Sequence, residues 1–265
     1  MKIKPILHKN LTKEAVKFDL NCRKIFGFSL FGRGKGELLK VIQSELEKSS
    51  KIWIATVNPE FVMQTINSKD FLNILASKTT FNVPDGVGLI WALKTVNSNW
   101  KLVNGIKTGF EILRGKHKEA LITGADLIDD LCQLAVKNNR SVYFYGGWKN
   151  RSEKTALYFL KKYPTLKVAG YSEEKFDFNL KIDFLFVARG MKKQEEWIND
   201  NFDKLKIKLV MGVGRSFDYY SGELKRAPEW MRKMGLEWFF SLIMEPKRWK
   251  RQLQLPKFVW KVLNS

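Results

Sequence analysis

The chain has 265 residues and a formal net charge of +20 at pH 7, which suits one large domain, or one domain with an appendage. So large a positive charge suggests a polyanionic partner, either nucleic acid, anionic lipid or a phosphorylated substrate. Two cysteines are too few for a disulfide framework, and two histidines argue against a His-rich metal site and a Ser-His-Asp triad. The Lys-rich N-terminus lacks the apolar core of a signal peptide, so we expect no export.

Strand and helix patterns alternate from about residue 37 to residue 213. A glycine-rich turn at residues 32–36, which lacks the spacing of a Walker phosphate loop, precedes a predicted helix over residues 37–48. Apolar runs rich in β-branched and aromatic residues predict strands at residues 51–57, 79–83, 141–145, 182–188 and 208–213. Amphipathic spacing predicts helices at residues 61–77, 87–96, 127–138, 152–163 and 192–202. This alternation predicts an α/β fold, with a Rossmann-like, mostly parallel sheet sandwiched by helices.

The strand signals stop beyond Gly222, where a basic and Trp-rich segment begins. Residues 225–261 contain ten cations, three acids and four tryptophans. Cations beside aromatic side chains fit an anionic membrane surface, and a basic helical pair packed into the core would give the same pattern. No run approaches the roughly 20 apolar residues of a membrane span. We predict an α/β core at residues 1–222, variable up to about Lys24, and a membrane-associating helical appendage at residues 223–265.

Polar or glycine-rich clusters follow five predicted strand ends. Ligands of open α/β sheets bind beyond the carboxyl ends of the strands, so these clusters form the candidate site. The clusters are Thr56-Val57-Asn58-Pro59-Glu60, Val83-Pro84-Asp85-Gly86-Val87-Gly88, Ile122-Thr123-Gly124-Ala125-Asp126-Leu127, Tyr145-Gly146-Gly147-Trp148 and Ala188-Arg189-Gly190-Met191-Lys192-Lys193-Gln194-Glu195.

Each cluster also has a simpler structural interpretation. Asn58 is a natural N-cap, and Asp85 fits a Pro-Asp-Gly turn, although an Asp in a partly apolar cleft can also act as a base. Asp126 is either a helix cap or a ligand for a substrate hydroxyl. Gly146 and Gly147 form either a tight turn or a pair of backbone N–H donors for a phosphate. The cations and the amide of the last cluster either hold a diphosphate or begin an exposed helix.

The sequence contains no Asp-x-Asp pair of the kind that holds a divalent metal on a nucleotide-sugar diphosphate. The nearest pair, Asp129-Asp130, lies within a predicted helix. Lys, Arg and backbone dipoles would then have to stabilise a leaving diphosphate, and we expect no metal site.

The ordered set of clusters resembles the WecG/TagA/CpsF family of bacterial glycosyltransferases. This family (glycosyltransferase family 26) includes the N-acetylmannosaminyltransferases of wall teichoic acid and enterobacterial common antigen synthesis. The resemblance covers roughly residues 24–251. The matching residues are Thr56-Val57-Asn58-Pro59-Glu60, Pro84-Asp85-Gly86-Val87-Gly88, Gly124-Ala125-Asp126-Leu127, Tyr145-Gly146-Gly147, Lys193-Gln194-Glu195, Gly212-Val213-Gly214, Phe217-Asp218, Lys225-Arg226-Ala227-Pro228, Gly235-Leu236-Glu237-Trp238 and Glu245-Pro246-Lys247-Arg248-Trp249.

The resemblance implies an inverting, metal-independent sugar transfer from a UDP-sugar, with no other cofactor, to a sugar on undecaprenyl diphosphate. Asp85 would be the general base on the acceptor hydroxyl, and Thr56 and Asn58 would line the same pocket. N-acetylmannosamine is the best-known donor sugar of the family, with other hexoses and uronic acids as alternatives. The residues predicted to bind substrate are Gly86, Gly124, Asp126, Gly146, Gly147, Lys193, Gln194, Glu195, Gly214, Asp218, Arg226, Arg248 and Arg251.

The resemblance also implies a location. The acceptor lies at the cytoplasmic face of the bacterial inner membrane, so the protein would be peripheral there and would contact its anionic surface. The last three predicted binding residues, which lie in the appendage, would meet the lipid diphosphate and the headgroups. The sequence leaves the oligomeric state open, with a homo-oligomer as one option.

Three departures from the family pattern leave the identity of the donor sugar open. The Arg that often precedes the Gly-x-Asp-Leu motif is absent, and Lys118 is the nearest replacement. The segment of residues 97–118 is longer and more polar than in the family pattern, and it is predicted to be a mobile loop near the acceptor. Arg215-Ser216 replaces Gly-Ala and would offer a cation to a phosphate or an acidic sugar.

Two other functions are compatible with the composition. The charge and the interleaved aromatics would suit a nucleic-acid-binding protein, but no known nucleic-acid-binding motif appears, so we expect no nucleic-acid partner. A non-catalytic nucleotide-sugar binder would keep the pocket without turnover.

Overall fold

A six-stranded parallel sheet forms the centre of the protein. The computed structural model describes residues 22–48, 50–96, 98–117, 121–246, 249 and 253–265. The strands are β1 (Cys22–Ile25), β2 (Phe28–Phe31), β3 (Ile52–Val57), β4 (Phe81–Pro84), β5 (Ser141–Gly146), β6 (Lys167–Ser172), β7 (Phe184–Ala188) and β8 (Leu209–Gly212). The sheet has the order β4-β3-β8-β7-β5-β6, and β1 and β2 form a separate antiparallel hairpin. The prediction of a Rossmann-like α/β fold is confirmed.

Helices connect the strands and form the C-terminal segment. They are α1 (Lys35–Leu46), α2 (Pro59–Asn67), α3 (Lys69–Asn73), α4 (Val87–Val96), α5 (Lys101–Leu113), α6 (Gly124–Lys137), α7 (Arg151–Lys162), α8 (Lys193–Asn201), α9 (Ser216–Tyr220), α10 (Glu229–Lys233), α11 (Glu237–Met244) and α12 (Gln254–Leu263). A π-helical turn at Ile74–Lys78 follows α3. In the described part of the chain, no helix has the length and apolar character needed to cross a bilayer.

Alternating side chains of the strands bury both faces of the sheet. On β3, Ile52 and Ile54 pack in one cluster with α1, α6 and α7, whereas Ala55 and Val57 pack in another with α2 and α4. This period of two is the normal consequence of the strand pleat. Because both faces are covered, the inner strands of the sheet are nearly continuous apolar runs, which is why the sequence pattern located them.

Three elements differ from the sequence expectations. Residues 97–118 were expected to form a mobile loop, and this is wrong for the greater part of the segment, since Lys101–Leu113 is helix α5. Strand β6 and the hairpin β1–β2 were not predicted. Every other residue of β6 is exposed at the edge of the sheet, so its polar sequence has no long apolar run.

The last helix of the predicted appendage packs onto the core. Phe258 and Val262 of α12 are buried in the same cluster as residues of α2 and α4. In contrast, α11 has no buried residue, and Trp230, Trp238 and Trp260 are exposed. The boundary at residue 222 stays a prediction, and the segment beyond it both packs on the core and exposes aromatic side chains.

Candidate active site

Asp85 lies at the carboxyl end of β4, between two neighbouring backbone segments. Its backbone N–H donates to the Val57 carbonyl oxygen at 2.7 Å, and residue 85 forms a parallel bridge with Ile122. Gly86 then turns the chain with a φ of +86°, and its N–H donates to the Ile122 oxygen at 3.2 Å. A positive φ is strained for residues with a side chain, so glycine suits this turn. These bonds fix the backbone from which the Asp85 carboxylate extends.

The surroundings of Asp85 favour its neutral form. Its pKa is raised to about 7, first by burial of the carboxyl group and then by the negative charge of Glu237. The Gly124 N–H, which donates to Asp85 Oδ1 at 3.4 Å, and the charge of Arg226 act in the opposite direction. A carboxyl group with this pKa is partly ionised at neutral pH, and its carboxylate form can take a proton from a hydroxyl.

Gly124 lies beside Thr56 and donates its N–H to Asp85, so it is in contact with both residues. Thr56 is buried, and its Oγ1 donates to the Gly212 carbonyl oxygen at 3.1 Å. A side chain at residue 124 would begin 3.4 Å from Thr56 Oγ1, which is ordinary van der Waals contact, so Gly124 lies directly beside Thr56. Asn58 is confirmed as the N-cap of α2, because its Oδ1 accepts from the Phe61 N–H at 3.1 Å. The catalytic roles of Thr56 and Asn58 stay predictions.

Asp126, in the first turn of α6, is held by a cation from the predicted appendage. Arg226 Nη1 donates to Asp126 Oδ1 at 2.6 Å, and Arg226 Nη2 donates to Thr123 Oγ1 at 2.8 Å. Thr123 also caps α6, accepting from the Asp126 N–H at 3.1 Å. Burial raises the pKa of Asp126, but the hydrogen bond and charge of Arg226 outweigh it, and the pKa lies below its ordinary value. Arg226 therefore supplies a cation beside the Gly-x-Asp-Leu motif.

An ion pair within the predicted appendage lies at this edge of the sheet, and two further contacts hold the appendage against the core. Arg226 Nε lies 3.4 Å from the Glu237 carboxylate, which is the charge that raises the pKa of Asp85. Gly235 has a φ of +73°, and a side chain there would begin 2.7 Å from Val87. Arg215 Nη2 lies 2.7 Å from the Glu245 carboxylate. Appendage residues thus contact the residues that surround the candidate base.

Gln194 and Glu195 are buried, and their polar atoms bond to the protein itself. Gln194 Nε2 donates to Glu195 Oε1 at 2.7 Å, and Glu195 Oε2 accepts from the Lys192 N–H at 2.9 Å. Gln194 Oε1 accepts from the Gly214 N–H at 2.9 Å, and a side chain at Gly212 would meet both Gln194 and Glu195 within 2.7 Å. Burial raises the pKa of Glu195 to about 7. In this arrangement Gln194 and Glu195 position the loop after β8, and the predicted effect of this pair on ligand binding would be exerted through that loop.

The Gly146-Gly147 pair makes a turn that only glycine fits easily. Both residues have a positive φ, and a side chain at Gly146 would begin 2.6 Å from the Ala188 carbonyl oxygen. The Gly147 N–H donates to that same oxygen at 2.7 Å. The turn is therefore built into the sheet edge between β5 and β7. Because the Gly147 N–H already donates to Ala188, the structure favours the tight-turn interpretation, and ligand binding by Gly146 and Gly147 stays a prediction.

Asp218 is engaged by two cations of the core. Arg151 Nη1 lies 2.5 Å from Asp218 Oδ1, and Arg215 Nε lies 2.9 Å from Oδ2. Arg215, expected to offer a cation to a phosphate or an acidic sugar, is thus paired with Asp218 as well as with Glu245. Sequence reasoning missed the pairs of Asp218 with Arg151 and of Arg215 with Glu245 because their members come from separate elements, whereas Arg215 and Asp218 are only three residues apart.

Of the remaining residues predicted to bind substrate or supply a cation, the structure describes only Lys193. Lys193 is exposed at the start of α8. Arg248, Arg251 and Lys118 lie outside the described residues. Within the described ranges, no group of three or more His, Cys, Asp or Glu side chains could hold a metal ion. Metal independence stays a prediction.

Comparison with known protein families matches residues 23–265 to the description "Glycosyl transferase WecG/TagA/CpsF family". The chain belongs to the WecG/TagA/CpsF family of glycosyltransferases. The match extends through both the strand-end clusters and the C-terminal helices. The family resemblance inferred from the ordered motifs is confirmed.

Several curated relatives share the name N-acetylglucosaminyldiphosphoundecaprenol N-acetyl-beta-D-mannosaminyltransferase. The chain is similar to the protein of that name from Bacillus subtilis (strain 168), with 33% identity over 222 residues, which are 80% of this chain and 79% of the relative. It is 30% identical to the Bacillus spizizenii protein, over 83% of this chain and 81% of the relative. It is 27% identical to the protein from Staphylococcus aureus (strain MRSA252), over 83% and 82% of the two chains.

Proposed function

We propose that this glycosyltransferase moves a sugar from a UDP-sugar to N-acetylglucosamine on undecaprenyl diphosphate, with inversion at the anomeric carbon and without a metal ion. The relatives' shared name supports the acceptor and makes N-acetylmannosamine the first donor sugar to test. The observation that carries the catalytic part is the Asp85 carboxyl group, whose pKa is raised to about 7 at the ligand-binding edge of the sheet.

The chemistry requires one base and one stabilised leaving group. Asp85 takes the proton of the acceptor hydroxyl as that oxygen forms a bond to the anomeric carbon. The bond from this carbon to the UDP oxygen breaks, its electron pair leaves with UDP, and the proton ends on Asp85. A positioned carboxylate base contributes on the order of 10²–10⁴ in rate. Cations and backbone N–H groups of the strand-end loops stabilise the departing diphosphate.

The C-terminal segment has two roles in this proposal. Arg226, Glu237 and Gly235 complete the surroundings of Asp85, and exposed Trp230 and Trp238 lie on the cytoplasmic membrane surface. Each cation near an anionic bilayer contributes about 1 kcal/mol of attraction, so several of them hold the enzyme where its lipid acceptor is found. The contacts of Arg226 with Thr123 and Asp126 support a coupling between membrane attachment and site assembly.

UDP release from a panel of UDP-sugars, with and without polyprenyl-diphosphate-GlcNAc and in the presence of EDTA, tests this function. We expect acceptor-dependent release from one donor, and NMR of the product should show the anomeric configuration opposite to that of the donor. Asp85→Asn should lose turnover and still bind the UDP-sugar, whereas the control Asp203→Asn, at an exposed position after α8, should keep both. Donor binding by calorimetry without turnover on any acceptor would favour the non-catalytic binder instead.

A further inference from the structure

Helix α5 exposes an apolar face that nothing in the described structure covers. Leu102, Val103, Ile106, Phe110 and Leu113 are all exposed, and their spacing places them on one side of the helix. The opposite side packs on α4 through Gly105, Thr108 and Ile112, which are buried. Trp100, immediately before the helix, is also exposed. An exposed apolar face of this size marks an interaction surface.

Cations lie along one flank of this apolar face. Lys107, Arg114 and Lys116 line a groove beside Phe110, together with Glu111, whose carboxylate is 2.9 Å from His117 Nε2. A second groove of about 370 Å³ on the other side of Lys107 is lined by Arg23 and Lys94. An apolar face flanked by Lys and Arg is the pattern of a helix that lies in the plane of an anionic membrane surface.

The α5 face is next to the C-terminal helix. Helix α12 packs beside α5, and Lys101 Nζ contacts the backbone oxygen of Ser265. Trp260 on α12 is exposed, as are Lys257 and Lys261. The apolar and basic features of α5 therefore adjoin similar features of α12.

We propose that α5 is a second membrane-binding element, which lies on an anionic bilayer with its apolar face among the lipids and its flanking cations on their phosphates. The proposal deepens the proposed function, since it adds a docking surface outside the C-terminal segment. A second copy of the chain is the less favourable occupant, because the cations beside each face would be brought together and each chain carries a net charge of +20.

Binding to vesicles tests the surface with full-length protein. The double variant Ile106→Glu and Phe110→Glu should bind phosphatidylglycerol-containing vesicles at least about tenfold more weakly. The matched control is Leu157→Glu and Leu160→Glu on α7, two exposed leucines whose change adds the same charge, and it should lose far less. Lys107→Gln should weaken binding by about fivefold on anionic vesicles and leave binding to neutral phosphatidylcholine vesicles unchanged. Equal loss in the α5 and α7 variants, or no loss in either, would overturn the proposal.

A photo-reactive residue at position 110 identifies the occupant directly. With vesicles present, irradiation should attach lipid to the α5 position. Attachment to a second copy, or to residues 1–21 of the same chain, would overturn the membrane assignment.

Turnover on a short, water-soluble acceptor separates this proposal from the proposed function. The α5 double variant should keep that turnover and lose turnover on the long-chain acceptor in vesicles. If the wild-type protein turns over no acceptor, the proposed function fails. The vesicle-binding and photo-attachment results then still decide whether α5 binds the membrane.

Discussion

Replacing Asp85 with Asn is expected to stabilise the folded protein at alkaline pH while removing its proposed base. The pKa of Asp85 is raised from 3.8 to about 7 in the folded protein. Because the folded state holds this proton more tightly than the unfolded state, the associated stability is fully present below about pH 4 and is lost as the pH rises through 7. One pKa unit corresponds to about 1.4 kcal/mol, so the ionised side chain lowers the free energy of unfolding by at most about 4 kcal/mol at pH 8.

Urea unfolding of the wild type and Asp85→Asn at about pH 4, 6 and 8 measures this effect. The Asn side chain keeps an oxygen that can accept from the Gly124 N–H, so the two proteins should have similar stability at the lowest pH. The variant should become the more stable protein as the pH rises, because its amide does not ionise whereas the wild-type carboxyl group does. Glu195, whose pKa is also raised to about 7, is present in both proteins and cancels. A difference in stability that stays constant with pH, or a variant that is less stable at pH 8, would refute the reasoning.

Three further predictions concern the sheet edge and the C-terminal segment. Gly146→Ala should lower the free energy of unfolding by about 2 kcal/mol or more in urea titrations, because residue 146 has a positive φ and a side chain there would meet the Ala188 oxygen. The control Gly36→Ala should leave the free energy of unfolding unchanged, because a side chain at residue 36 meets open space. Arg226→Gln should speed proteolysis beyond residue 222, and a double-mutant cycle with Asp126→Asn should give about 0.5–3 kcal/mol of coupling, with zero coupling counting against the ion pair. Trp230→Ser with Trp238→Ser should weaken binding to anionic vesicles by about tenfold without changing the unfolding midpoint, and unchanged binding would exclude these side chains from the membrane contact.

The Trp substitutions are a sharper test of the membrane role than deletion of everything after residue 222. We expect such a deletion to abolish vesicle binding and to reduce activity on long-chain acceptors greatly. It would also remove Phe258 and Val262 from the core cluster that contains α2 and α4. The deletion would therefore combine loss of a surface with loss of packing, and the exposed tryptophans separate the two.

The parallel sheet could be predicted because its central strands are buried on both faces and read as apolar runs. The position of Asp85 followed from the same pattern, since a polar residue directly after such a strand lies at the edge where ligands bind. Strand β6 escaped prediction because it is an edge strand with alternating exposure. Helix α5 was interpreted as a loop because Lys, Asn, Thr and Gly interrupt its apolar residues, and two of these, Gly105 and Thr108, form its buried side.

Contacts between distant parts of the chain could not be predicted from local patterns. Arg226 and Asp126 are 100 residues apart, and each alone has an ordinary local interpretation as a tail cation or a helix cap. The same holds for Glu237, which comes from a short motif in the C-terminal segment and alters the pKa of Asp85. The motifs indicated that these residues mattered, and only the fold shows which of them meet.

The pH dependence of kcat/KM for the wild-type protein with a soluble acceptor tests the central claim most directly. If Asp85 is the base, log kcat/KM should rise with a slope of about one below pH 7 and level off above it, because the reactive form is the carboxylate of a group with a pKa of about 7. Asp85→Asn should remove the turnover that defines this profile. A flat profile between about pH 5 and 8, or an Asn variant that retains full turnover, would contradict the account.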